Sequence, residues 1–149
     1  MDITIHLRQI LNSYRHFLGR DFLTVPPHTN VVHFVHEAPF ALVSHGIEPD
    51  PIFNYANKTA ERLWEMDWDE FTTTPSRLSA EPMRREEREQ LLQKVSTFGF
   101  AEHYEGIRIS KTGKRFWIRD TTIWNVLDEK GQCIGQAACF SKWEYIDAE

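Results

Sequence analysis

Several groups of side chains in the sequence have the residue types that ligation or catalysis needs. His33-Phe-Val-His36-Glu37 puts two imidazoles three residues apart, on one face of a short helix. A metal would use that face, but the order is not HExxH and no further ligands stand at a recognisable spacing, so no metal site is expected. Ser44-His45 are nucleophile and base types. As neighbours on a strand they point to opposite faces and cannot form a direct dyad, so no catalytic residue is assigned. Ser76, Arg77, Ser79 and Glu81 crowd a polar loop before Pro82. Ser76, Ser79 and Glu81 suit helix caps, Pro82 suits a first helical position, and Arg77 suits pairing with an acid. Glu81 and Asp50 are carboxylates fit for acid–base work, but nothing in the sequence places them together. Cys133 and Cys139 stand six residues apart, which is neither a redox motif nor half of a zinc site; both are expected as buried free thiols.

Polar residues inside apolar strands carry the remaining chemistry. Strict alternation over 115–127 puts Phe116, Ile118, Asp120, Thr122 and Trp124 on one face, with Trp117, Arg119, Thr121, Ile123 and Asn125 on the other. One face is expected to line a partly polar cavity, the other to lie under the N-terminal helix or a partner. On 100–110, Tyr104, Arg108 and Ser110 share a face. An inward Arg108 needs a carboxylate. Asp120 on the neighbouring strand is one source and an anionic ligand is the other.

The elements that must position these groups follow from periodicity. Ile3, Leu7, Ile10, Leu11, Tyr14, Phe17 and Leu18 recur at three- and four-residue steps, predicting a helix over 2–18 that Gly19 ends. A helix this short needs a docking surface, from its own chain or from a second copy. After the Val25–Asn30 linker come a short helix (31–37), strands at 40–44 and 52–56, and a helix from Lys58 capped by Asn57. Phe53 and Tyr55 are expected on one face of the second strand. A further helical turn is expected near Asp67–Glu70, then a helix from Pro82 to about Thr97. Its charged run Arg84-Arg-Glu-Glu-Arg-Glu89 reads as a solvated face. Three strand-like runs, 100–110, 115–127 and 133–146, are joined by Gly-containing turns and predict an antiparallel meander.

Composition bounds the function. One domain fits 149 residues, and a net charge of −5 lacks the basic face a general nucleic-acid binder needs. No run approaches a membrane span and the N-terminus lacks a signal-peptide pattern, so no membrane partner is expected. Two unpaired cysteines point to a reducing, cytoplasmic location.

The element order over about 38–146 resembles a PAS domain, with Ile52-Phe-Asn-Tyr-Ala-Asn57 matching the strand that ends at a capping Asn. Ser44-His45-Gly46, Asp50–Asn57, Pro75–Glu81, Gly106–Ser110, Trp124-Asn125 and Gly135-Gln-Ala-Ala138 together resemble the MEKHLA domain, a PAS-related family. The resemblance implies an α+β fold: a five-stranded antiparallel sheet with helices packed on one face, plus an N-terminal helical extension. Residues 1–37 form the extension and 38–149 the PAS-like domain. It also implies a sensory or interaction module and supplies no cofactor. Residues 58–81 hold no Cys for covalent flavin or thioester chromophore chemistry, and residues 58–97 hold no His for haem.

The favoured expectation is a module binding a small organic molecule between sheet and helices, and forming a homodimer through the N-terminal helix. His45, Tyr55, Arg77, Arg108, Trp124 and Gln136 are the candidate polar contacts. The alternatives are an interaction module with a filled core and, least favoured, a small hydrolase or isomerase.

Overall fold

The computed structural model describes residues 2–81 and 84–146. Helix α1 (Ile3–Leu18) starts where Asp2 accepts from the backbone N–H groups of Thr4 and Ile5, and stops at Gly19, whose φ of 73° is open to glycine. A short helix α2 (Val31–His36), capped by Asn30, leads to strand β1 (Ala41–His45) and then β2 (Phe53–Ala56). Helices α3 (Lys58–Trp64) and α4 (Trp68–Phe71) follow, capped by Asn57 and Asp67, and a 3₁₀ turn spans Ser76–Ser79. Helix α5 (Arg85–Phe98) precedes β3 (Phe100–Ile109), β4 (Arg115–Leu127), β5 (Cys133–Phe140) and β6 (Lys142–Tyr145). Pro82, expected to open the fifth helix, lies outside the described residues.

The sheet is antiparallel in the order β2-β1-β5-β4-β3. β6 pairs with β4 through Phe116↔Tyr145 to Arg119↔Lys142, and so continues β5 along one edge of β4 after a break at Ser141. The predicted run 133–146 is therefore two strands, and the sheet has six among the described residues.

Both faces are covered. On the inner face Ala41, Val43, Phe53, Phe116, Ile118 and Phe140 pack with Leu63, Trp64 and Phe71 of α3 and α4. On the outer face Leu42, Tyr55, Trp124, Val126 and Ala137 lie under Leu7, Ile10 and Tyr14 of α1 and Val35 of α2. The body of the same chain thus supplies the surface that the α1 stripe requires. Trp124 Nε1 donates to Ile10 O at 3.0 Å, and its ring meets Tyr14 edge-on at 5.0 Å.

Two irregularities correct the strand faces expected from strict alternation. Ser44 pairs with Tyr55 and His45 with Phe53, leaving Asn54 as an extra residue on β2. Phe53 therefore faces inward and Tyr55 outward. On β4 the pairing with β3 slips between Tyr104↔Thr121 and Gly106↔Ile118, and Asp120 has φ 50°. Thr121 and Ile123 consequently share the inner face with Phe116 and Ile118, while Trp124 joins the outer one.

Asn57 ties the two layers at the start of α3. Its Oδ1 accepts from the N–H groups of Leu42 (3.0 Å) and Ala60 (3.2 Å), and its Nδ2 donates to Val35 O (3.1 Å) and Phe40 O (2.8 Å). The residue is fully buried with every hydrogen-bonding position used.

Candidate functional site

Between the inner sheet face and helices α3 and α5 lies a cavity of about 50 Å³. Val43, Phe53, Ile118, Ile123 and Phe140 make most of its wall. Polar side chains from several elements line it, among them His45 of β1, Trp64 of α3, Arg88 of α5, Arg108 of β3 and Thr121 of β4. Gln136 of β5 closes one end. A surface groove of about 270 Å³ between α5 and the β1–β2 loop shares His45, Leu92 and Gln136 with the cavity and leads out to solvent.

The polar groups are buried and only partly satisfied. His45 Nδ1–H donates to Gly46 O at 2.9 Å, which leaves the Nε2 lone pair free. That nitrogen, Trp64 Nε1–H and Thr121 Oγ1 have no hydrogen-bond partner among the described residues. Burial pushes His45 below its ordinary value, reinforced by the nearby Arg88 charge and opposed by the Gly46 carbonyl. Arg88 is 6% exposed and Arg108 8%. Desolvation, then the neighbouring Arg108 charge, lowers Arg88 to about 10. The carboxylate nearest to Arg88 among the described residues is that of solvent-facing Glu89, at 3.8 Å. Arg108 Nη1 donates to its own strand at Ile107 O (2.9 Å), with the guanidinium 5.5 Å from the Tyr104 ring centre.

The expected Arg108–Asp120 pair is not formed. The backbone turn at Asp120 aims its carboxylate outward, where it accepts from His103 Nδ1 at 2.5 Å. Of the six candidate contacts, His45, Arg108 and Gln136 are brought together. Gln136 Nε2 donates to Leu92 O, Ser96 Oγ and Asn125 Oδ1, holding α5 on the sheet. Tyr55 and Trp124 lie on the opposite sheet face in the α1 core, where burial pushes the Tyr55 phenol up. Arg77 is exposed, and its Nε donates to Asp50 Oδ1 at 3.1 Å, the structural pairing expected for it. Glu81 lies 3.7 Å from Arg115. Ser79 Oγ donates to Ser76 O within the 3₁₀ turn, so neither serine caps α5.

Two side-chain groups escaped the sequence reading. Arg88 sat in a run read as solvated, yet Arg88, Leu92 and Val95 recur at i, i+4 and i+7, the period of an inward stripe. The second is a buried cluster joining α1 to the sheet. Ser44 Oγ–H donates to Asn54 Oδ1 at 2.5 Å, while His6 Nε2–H reaches Ser44 Oγ (3.1 Å) and Asn54 Oδ1 (3.2 Å). His6 acts here as donor and the serine proton is held by Asn54, so the trio fastens α1 and does not activate a nucleophile. Burial keeps His6 below its ordinary value. Cys133 is exposed, contrary to the expectation of two buried thiols; it caps the β5 entry through Gly135 O. Cys139 is half-buried, and the desolvation pushes its thiol up.

Comparison with known proteins agrees with this architecture. The PAS domain of a protein from Colwellia psychrerythraea superposes with a TM-score of 0.65 at 18% identity, covering 78% of this chain and 93% of that one. A light-oxygen-voltage domain studied with a flavin analogue gives 0.61 at 16% identity, covering 80% and 87%. A fungal light-oxygen-voltage photoreceptor domain gives 0.58 at 15% identity, covering 93% and 90%. At such identities the likeness establishes the PAS fold. No curated relative matches the sequence significantly. The family profile described as the MEKHLA domain matches residues 4–145, including α1 with the sheet it covers, and on that match the chain belongs to the MEKHLA domain family, with a PAS-like α+β fold.

Proposed function

We propose that this domain is a sensory module that takes a small organic molecule between its sheet and α5. The observation that carries this reading is the inner cavity: an apolar wall that two buried arginines line and on which three buried polar atoms, of His45, Trp64 and Thr121, converge with no partner among the described residues. About 50 Å³ exceeds the space one water needs but is well below the ~300 Å³ of a typical ligand pocket. The groove of about 270 Å³ beside it supplies the missing room once α5 moves outward. α5 suits such movement because few of its side chains are buried; what the movement must break are the bonds from the Asn125 and Gln136 amides to its Val95 and Leu92 carbonyls. Native mass spectrometry of the intact protein tests the reading. A non-covalently retained mass lost on denaturation supports it; an empty spectrum, with no small molecule perturbing the NMR signals of His45, Trp64 and Ile123, sinks it.

Self-association belongs to the same proposal in altered form. The α1 stripe is occupied by its own sheet, so a second copy would meet the outward face, where Ile5 is exposed beside Arg8, Asn12 and Arg15. Light scattering on the wild type and Ile5→Glu decides: a dimer abolished by the substitution supports this face, and a monomeric wild type removes the dimer. Among the described residues no helix is long and apolar enough to cross a membrane. The two unpaired cysteines suit the cytoplasmic location that is part of this proposal.

A further inference from the structure

We infer that the molecule held in this cavity is an organic carboxylate, its carboxylate between Arg88 and Arg108 and a hydroxyl or N–H donor turned toward His45 Nε2. The inference rests on the ligand-binding reading above and names the ligand's chemistry. Guanidinium groups cannot shed their protons to escape burial under ordinary conditions, so a buried arginine needs an anion or a full set of acceptors. Here two line one small cavity, 6% and 8% exposed. Among the described residues the nearest carboxylate to Arg88 is an exposed one at 3.8 Å, beyond hydrogen-bond reach, and Asp120, the acid placed to serve Arg108, is turned to His103. The fold has thus concentrated positive charge in its interior and sent the available acid outward.

The other unpaired atoms specify the rest of the molecule. Trp64 Nε1–H is a donor and Thr121 Oγ1 can donate, so both complement carboxylate oxygens. His45 Nε2 is an acceptor, fixed as such by the proton on Nδ1, and so requires a donor from the ligand. Val43, Ile118, Ile123 and Phe140 supply apolar surface for a short aliphatic or aromatic body. The exit past His45 and Leu92 gives that body a direction, head inward and tail to the groove. Inorganic phosphate would satisfy the arginines but leave the apolar wall uncovered.

The experiment titrates the intact protein with matched pairs, lactate against lactamide and benzoate against benzamide, at constant ionic strength. The readouts are the NMR signals of the Arg88 and Arg108 Nε–H groups and thermal unfolding. Acids are expected to shift both arginine signals and to bind at least about tenfold more tightly than their amides, the scale of a charge-assisted hydrogen bond. Arg88→Gln and Arg108→Gln should each weaken the acids by about tenfold or more, and the wild-type acid–amide contrast stands even if a variant fails to fold. Amides binding as well as acids overturn the charge assignment and leave the cavity reading intact. Chloride or phosphate matching the acids overturns the organic class. A panel in which nothing binds overturns both readings.

Discussion

Replacing Arg88 by methionine should make the protein more stable. The side chain is buried, and desolvation with the neighbouring Arg108 charge lowers its pKa from the usual 12.5 to about 10. At 1.36 kcal/mol per pH unit, holding that cation inside the fold costs about 3 kcal/mol. Glu89 returns little, because it is an exposed partner at 3.8 Å. Methionine keeps most of the aliphatic stem and adapts to irregular space. After allowing for lost packing, we expect a gain of about 1–3 kcal/mol, which moves a urea midpoint by roughly 1 M. The assay is urea unfolding followed by circular dichroism and tryptophan fluorescence, in a buffer free of carboxylates and phosphate. A cation with a lowered folded pKa carries its full penalty at every pH below that pKa. The gain should therefore be flat from mildly acid to mildly alkaline conditions. Arg62→Met, on α3, serves as the control and should change stability by less than about 0.5 kcal/mol. An Arg88→Met protein less stable than wild type by more than about 1 kcal/mol would refute the reasoning, since Arg88 would then be satisfied by its own fold.

Asn57→Ala should cost about 3 kcal/mol in the same unfolding assay, from a lost cap plus the buried Leu42 N–H and Phe40 carbonyl left unpaired; a loss below about 1 kcal/mol would contradict the hub role. A Cβ at Gly135 would lie 2.1 Å from the His45 backbone oxygen, so Gly135→Ala should push β1 from β5 and cost about 3 kcal/mol or prevent folding, read as lost soluble yield or an earlier midpoint. His6 and His45 both sit below their ordinary 6.5 because burial disfavours their charged forms, so stability is whole above 6.5 and falls as pH drops through and below it. Unfolding midpoints measured in steps on the acid side of neutrality should show that decline, flattened in the His6→Gln variant.

The helices, their caps and the hairpins were legible because each rests on local signals: Asn57 before an apolar period, Gly19 after one, and Gly113 and Gly131 in the turns. The placement of side chains on the sheet was half legible. His45, Arg108 and Gln136 fall where alternation puts them, but Tyr55 and Trp124 do not. Each lies beyond an irregularity, at Asn54 and at Asp120, and a single extra residue moves everything after it to the other face. Nothing in the composition of Asn54 or Asp120 announces such a bulge, because the bulge is set by pairing with a distant strand. Arg88 was hidden differently: five charged neighbours masked the inward period that it shares with Leu92 and Val95. The His6–Ser44–Asn54 cluster joins positions 38 and 48 residues apart, a separation that no local pattern encodes.

The two tryptophans on opposite sides of the sheet give the molecule an optical property. Trp64 lines the cavity with an indole N–H that has no partner among the described residues, whereas Trp124 holds its N–H on the Ile10 carbonyl and presses its ring against Tyr14. Emission from the first would respond to a molecule entering the interior, and emission from the second to a shift of the N-terminal helix. Among the five tryptophans, Trp64→Phe and Trp124→Phe single out these two contributions, so filling and undocking would be read without a label as distinct events.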